Sequence, residues 1–201
     1  MTVSSPTPGG LRALTREAVR ARIADEALVL FDENGFEETT VDDIVKAVGL
    51  SPRSFFRYFP SKEDVVIGDL VIAGAHLRDE VARRLPDETP WRALHHAMAD
   101  GAEQIDSEPA RWLRTMRVIN SAASLRARNL EKHLAWSALL IPVIARHIDS
   151  DAALGELPAR VLVGTAFACL DAALAVWTEA DAALPFRHVL DGAFQAVGRE
   201  S

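Results

Sequence analysis

The sequence predicts an all-α protein of about nine helices, divided into a small N-terminal head of three helices and a larger helical body. Three observations carry this prediction. Apolar residues make up 49% of the 201-residue chain but aromatics only 6%, and the Ala and Leu that recur throughout are strong helix formers. Apolar positions repeat at three- and four-residue spacing, with no useful length of the two-residue alternation of half-buried strands and no internal repeat. Gly and Pro fall mainly between the periodic runs, where they punctuate helices.

The elements follow in order. Residues 1–14 are expected to form a disordered arm, because the first ten are polar with Pro and Gly. Thr15 then offers an N-cap. Val19, Ile23, Ala27 and Leu30, with Ala24, Leu28 and Phe31, give one apolar face to a long first helix. Asn34-Gly35 ends it, Gly being suited to the left-handed position after a helix. Thr40 precedes the second helix, with Asp43 three residues on in a capping arrangement. Val41, Ile44, Val45 and Val48 form its apolar stripe, and Gly49 breaks it. Ser51-Pro52 is a strong start signal for a short, aromatic-rich run to residue 59. Pro60-Ser61 restarts the chain into a helix from 62 to about 85. After the break at 86–90, helices are expected near 91–107, 109–124, 125–148, 158–179 and 185–197. Pro90, Pro109, Pro158 and Pro185 sit at starts. Pro142 lies inside a run and is expected to kink it. The expected units are an arm (1–14), a head (15–62) and a body (63–201).

The formal charge of −7 argues at first against a nucleic-acid partner. Its distribution matters more than its sum. Residues 1–62 carry 8 Lys/Arg and 9 Asp/Glu, so most of the acidity lies beyond them. Residues 51–62 hold Arg53, Arg57 and Lys62 and no acid. A local basic surface can contact phosphates even on an acidic protein. The single cysteine, Cys169, allows no intrachain disulfide and no cysteine-rich metal site. The first ten residues lack an apolar signal core, and the longest apolar stretch, 161–170, stops at Asp171, short of the roughly 20 residues a bilayer needs. A cytoplasmic protein without a membrane partner is expected.

An enzyme is not expected. The chain has no His-Glu-x-x-His, Gly-rich phosphate loop or nucleophile elbow. His95 and His96 are adjacent, so on a helix their side chains diverge and do not readily share a metal. No catalytic residue, cofactor or metal is assigned.

Residues 41–59 instead give a short helix, a Gly turn and a second short helix. In a helix-turn-helix the first helix braces the second, and the second enters the major groove. Gly49 supplies the tight turn. Val41, Ile44, Val45, Val48, Leu50, Phe55 and Phe59 are candidates to lock the pair together. Arg53, Ser54, Arg57 and Tyr58, with Ser51 at the cap, can present donors to DNA. Arg53 and Arg57 suit bases and phosphates equally.

The ordered, ungapped stretch 39–64, Thr-Thr-Val-Asp-Asp-Ile-Val-Lys-Ala-Val-Gly-Leu-Ser-Pro-Arg-Ser-Phe-Phe-Arg-Tyr-Phe-Pro-Ser-Lys-Glu-Asp, resembles the signature of TetR-family regulators. The likeness reaches back through Phe31-Asp-Glu-Asn-Gly-Phe36 and covers about residues 15–66. The run Phe55 to Phe59, with a long acidic body, is also similar to an actinobacterial subgroup of that family, that of the mycofactocin-system regulator. The resemblance implies an Ω-shaped homodimer on a palindromic double-stranded operator, mostly as a repressor released by a small molecule. It further implies phosphate contacts from Thr40 and Lys62 and base reading by 51–59, so that Thr40, Ser51, Pro52, Arg53, Ser54, Phe56, Arg57, Tyr58 and Lys62 form the expected DNA surface. The family usually has Tyr where this chain has Phe56. Phe56 lacks the hydroxyl that reaches a phosphate and can instead meet a thymine methyl.

The body carries more apolar residues than one surface layer requires. Embedded among them are His95, Met98, Trp112, Met116, Asn120, His133, Trp136, Phe167 and Asp171, the candidate contacts for a largely apolar effector. Asp171 interrupts an apolar helix and needs a partner; a ligand and a second subunit are equal candidates. The runs 158–179 and 185–197 are apolar on more than one face. Packing them against a twofold copy would bury both, which places the homodimer contact at about 158–197. The rival reading is a helical interaction module without DNA binding.

Overall fold

The computed structural model describes residues 8–149, 151 and 153–198, with side chains from residue 15 onward. Among the described residues it is all-helical: α1 (Pro8–Asn34), α2 (Val41–Val48), α3 (Pro52–Phe55), α4 (Lys62–Arg84), α5 (Pro90–Ser107), α6 (Pro109–Ser121), α7 (Ala123–Ala145), α8 (Leu157–Glu179) and α9 (Phe186–Gly198).

Local signals explain most boundaries. Asp43 N–H donates to Thr40 Oγ1 at 3.2 Å, and Thr40 N–H donates to the Asp43 carboxylate at 2.9 Å, so Asp completes a capping box usually closed by Glu or Gln. Gly49 takes φ 72°, the left-handed conformation that lets α2 stop abruptly. Ser51 caps α3 through Ser54 N–H, and Ser61 caps α4 through Asp64 N–H. Two expectations fail at α1. The helix begins at Pro8, so residues 8–14 are helical rather than a disordered arm, and Thr15 lies inside the helix rather than at its cap. Proline tolerates the first helical position because its missing N–H would be unsatisfied there anyway. Residues 1–7 of the expected arm lie outside the described residues. In the body, extended backbone at Ala122 (φ −122°, ψ 137°) divides α6 from α7, two residues before the expected break. Pro142 does lie inside α7.

Two apolar cores result. The head core joins Ile23, Phe31, Phe36, Ile44, Phe55 and Phe59. It is completed by Val65, Val66 and Ile67 of α4, Met116, Val118 and Ile119 of α6, and Leu125 of α7. Packing therefore runs through residue 62 without a seam. Arg111–Asp25 (2.9 Å) and Arg114–Asp32 (3.3 Å) tie α6 to α1 along the same border.

The body core is built by the C-terminal half of α4 with α5, α7, α8 and α9, and α4 with α7 is its most extensive pairing. The Asp106 carboxylate on α5 accepts from Phe186 N–H (2.5 Å) and Arg187 N–H (3.2 Å), which satisfies donors at the start of α9. Helix α8 is longer than the apolar run read from the sequence, and by length and composition it is apolar enough to cross a membrane. Here one side of it, with Val163, Ala166, Phe167, Ala173 and Trp177, is buried in the body.

Candidate nucleic-acid interface and internal cavity

The turn at Gly49 sets α3 against α2, and Phe55 and Phe59 anchor it with no exposed surface. Only residues 52–55 are regular helix. Phe56 N–H to Pro52 O (3.1 Å), Tyr58 N–H to Phe55 O (2.8 Å) and Phe59 N–H to Phe55 O (3.0 Å) carry the turn onward, so the expected reading segment 51–59 is one helical turn followed by a hydrogen-bonded turn. Its outward face presents Ser51, Pro52, Arg53, Phe56 and Arg57 to solvent, with Ser54 and Tyr58 half-buried. Phe56 is 55% exposed and meets Phe55 edge-on. The Arg57 guanidinium lies 5.6 Å from the Tyr58 ring. Arg53 makes no hydrogen bond or ion pair among the described residues. The face thus combines two cations with an apolar ring and carries no acid.

Two expected phosphate contacts are already engaged within the chain. The Thr40 hydroxyl donates to Asp43 at 2.6 Å, and this bond with the Thr40 N–H holds the Asp43 carboxyl below its ordinary pKa. The Lys62 ammonium donates to Phe36 O (2.9 Å), Glu37 O (3.4 Å) and Thr39 O (3.5 Å), over the face of Phe36. It therefore clamps the loop between α1 and α2, which carries Thr40.

Two residues not singled out in the sequence hold the reading segment from behind. Arg20 donates to Tyr58 O (2.8 Å), covers the Phe59 ring at 4.4 Å and pairs with Asp69 (2.5 Å). Arg16 donates to Arg57 O (3.4 Å). Their signal was their place on α1 one turn apart, visible only once α1 is known to cross the end of the segment.

The body holds an open cavity of about 660 Å³ lined by α4, α5, α6, α7, α8 and Phe186 at the start of α9. Of the nine expected ligand contacts, Met98, Trp112, Met116 and Trp136 line it. Three others group behind its α7–α8 wall. His133 stacks on Phe167 with ring centres 5.0 Å apart, and its Nδ1 lies 3.6 Å from Asp171. These three do not line the cavity. His95 and Asn120 are elsewhere. His95 Nε2 meets Asp191 at 2.7 Å and stacks on Phe194, joining α5 to α9. Asn120 is exposed, and its carbonyl accepts from Arg126. Asp171 is exposed rather than buried in an apolar helix, so solvent reaches its carboxylate.

Lys132 was missed, although it lines the cavity and is only 6% exposed. Its ammonium sits 4.8 Å from the Trp136 ring. Burial pulls its pKa down to about 8, with the Asp171 charge opposing the shift. Burial and the Lys132 charge together push His133 down to about 4, and burial raises Asp171. One sequence signal existed. Lys132 and Trp136 are four apart, hence on one face of a helix.

Four residues border both the cavity and the head core: Leu70, Trp112, Met116 and Leu174. Whatever fills the cavity presses on side chains that also support the head.

Residues 23–67 match the family model described as bacterial regulatory proteins, tetR family. Residues 88–200 match the model described as the MftR C-terminal domain. The chain is 28% identical to the putative mycofactocin biosynthesis transcriptional regulator MftR of Mycobacterium tuberculosis, over 91% of each chain. It is 32% identical to the HTH-type transcriptional regulator TcmR of Streptomyces glaucescens, over 72% of this chain and 66% of that one. Among solved structures it is similar to Thermus thermophilus FadR, described as a TetR-family transcriptional repressor in complex with lauroyl-CoA. That match has a TM-score of 0.53 and 26% identity, and it covers 88% of this chain and 91% of that one.

Proposed function

The chain belongs to the TetR family of DNA-binding transcriptional regulators, and from that premise we propose that it is a ligand-responsive repressor. A homodimer holds a palindromic operator with two heads, and a largely apolar small molecule entering the cavity releases it. The observation that carries this reading is the outward face of 51–59, with Arg53, Phe56 and Arg57 exposed on a segment pinned from behind by Phe55, Phe59 and Arg20. Contacts to bases need such rigid placement, while the remaining contacts to phosphates fix register.

The net charge of the head is small, so a single head would hold DNA weakly. Two heads at fixed spacing supply the missing affinity. The surface of α8 that faces away from the body exposes Val161 (57%) and Val176 (55%) along with Ala168, Ala172 and Ala175. Small and apolar residues there suit close packing against the same helix of a second copy, joined by α9. A protein that acts on its own promoter works in the cytoplasm.

The cavity volume falls within the range of ligand sites, and its lining is mostly apolar. T. thermophilus FadR in complex with lauroyl-CoA shows a family relative with a long-chain ligand, which favours an effector with a long apolar part. Leu70, Trp112, Met116 and Leu174 give the route by which such an effector shifts the heads. A ligand moves that equilibrium only by the difference in its affinity for the two states.

DNase footprinting of the full-length protein on the DNA flanking its own gene tests the proposal. A protected site with twofold sequence symmetry is expected. Absence of any protected site would favour the helical interaction module, for which the acidic total charge and the missing hydroxyl at Phe56 speak.

A further inference from the structure

Lys132 is the one cation that lines the cavity from a buried position among the described residues. The cavity's other charged residues, Asp79, Glu80, Arg83 and Asp100, reach solvent. They also largely settle one another: Arg83 pairs with Glu80, and Asp100 accepts from Arg84 at 2.5 Å. Lys132 is different. It has no hydrogen bond and no ion pair within 4 Å among the described residues. Its electrostatic support is Asp171, which acts on it from beyond 4 Å and lies near His133. The Trp136 face covers the ammonium on one side. The cavity that it lines is otherwise bordered largely by apolar side chains, Leu70, Met116 and Leu170 among them.

An ammonium held in an apolar wall with no hydrogen-bonding partner from the chain is costly. A cation–π contact recovers only a part of that, on the order of 1 kcal/mol. A methionine or leucine at this position would fill the wall at no such cost. The lysine is therefore explained by something that enters the cavity and carries the complementary charge.

We propose that Lys132 is the anchor for an acidic head group, and that the effector is an apolar molecule ending in a carboxylate. This rests on the reading of the cavity as the effector site and adds the ligand's charge and orientation. The carboxylate pairs with Lys132 Nζ at the α7 wall. The apolar part then lies along Trp136, Met116 and Met98 towards the opening. At the exposed end Asp79, Glu80 and Asp100 are each paired with an arginine, so Lys132 is the unpaired charge of the lining among the described residues and draws the acidic head inward. A carboxylate on Lys132 also gains from the low dielectric around it, where an ion pair is worth more than in water.

The test is a titration of the full-length protein with decanoate, decan-1-ol and decylamine, followed by tryptophan fluorescence, since Trp112 and Trp136 line the site. Decanoate is expected to bind at least tenfold more tightly than the alcohol, and the amine most weakly. In Lys132→Met the acid and the alcohol should bind alike, while Lys132→Arg should keep the preference for the acid. Decanoyl-CoA offers the same chain with a thioester in place of the free carboxylate. It should bind less tightly than decanoate. Alcohol binding equal to acid in the parent overturns the proposal and leaves the effector cavity standing. So does a preference for acid that survives in Lys132→Met, or tighter binding of decanoyl-CoA that is unaffected by that substitution. Failure of all the probes to bind overturns the cavity reading as well.

Discussion

The indole of Trp136 occupies the space that a side chain at Gly74 would take: a Cβ at 74 would clash with Cδ1, Nε1 and Cγ of the ring. The indole N–H donates to Leu70 O (3.0 Å) and Val71 O (3.3 Å) one turn earlier on α4. Helix α4 starts under the head and ends in the body, so this contact fixes the helix that joins them. Trp136 also walls the cavity, and an effector that displaces it acts directly on α4.

Gly74→Ala tests that contact. In a helix the change would ordinarily stabilise by about 1 kcal/mol. Here the obstacle is a rigid ring held by two hydrogen bonds, and overpacking of this kind costs about 1–3 kcal/mol. A lower melting temperature is expected, with a changed tryptophan emission. A melting temperature above the parent's would show that α4 and α7 are not locked as described.

Arg57→Ala removes an exposed side chain that supports no core. Operator binding should weaken by about 1–3 kcal/mol if Arg57 reads a base, or lose about one unit of salt slope if it contacts a phosphate. Thermal stability and dimerisation should be unchanged. Lys62→Ala should weaken binding too, and unlike Arg57→Ala it should lower the melting temperature, because the carbonyls of Phe36, Glu37 and Thr39 lose their donor. Equal stability of the two variants would refute the clamp role of Lys62.

Arg20→Met should impair operator binding, although Arg20 lies behind the reading segment. The Tyr58 carbonyl loses a charged donor and the Phe59 ring its cover. Such bonds are worth about 1.5–3 kcal/mol. Hydrogen exchange at residues 55–59 should accelerate in the variant; an unaltered exchange rate would exclude a positioning role.

The buried Lys132 makes stability depend on alkaline pH. Its folded-state pKa is about 8 against an ordinary 10.5. Between these values the unfolded chain binds the proton and the folded chain does not, so stability rises with pH. Below 8 both states are protonated and the effect is flat. The Asp171 charge persists throughout this window and His133 is neutral, so neither reverses the sign; the buried Cys169 thiol, raised by burial, opposes the rise equally in the parent and in Lys132→Met, so the difference between the two carries the effect. The gain is capped at about 3 kcal/mol, and Lys132→Met should lack it. Parallel stability profiles for the two proteins from pH 8 to 10.5 would contradict the burial of a charged amine.

The head was legible in the sequence because its determinants are local. Thr40 with Asp43, Gly49, and Ser51-Pro52 each specify a boundary within four residues, and all three act as expected. The start of α1 was misplaced because Thr15 looks like a cap, while Pro8 is an equally acceptable first helical residue. The cavity was half-legible. Large apolar side chains such as Met98, Trp112, Met116 and Trp136 announce a buried site by type. His95 was placed wrongly because its partner, Asp191, is 96 residues away. Lys132 was passed over because lysine is ordinarily exposed, and only the packing of α7 against α4 and α8 shows that this one is not.

The proposed dimer reads DNA with two heads of small net charge. Fluorescence anisotropy of the full-length protein with the promoter DNA of its own gene, titrated across salt concentrations and against scrambled competitor, tests it most directly. Saturable binding of one dimer per site is expected, with a steep loss of affinity with salt and a large preference over the competitor. Binding that is absent, or equal for the promoter and the scrambled sequence, would contradict it.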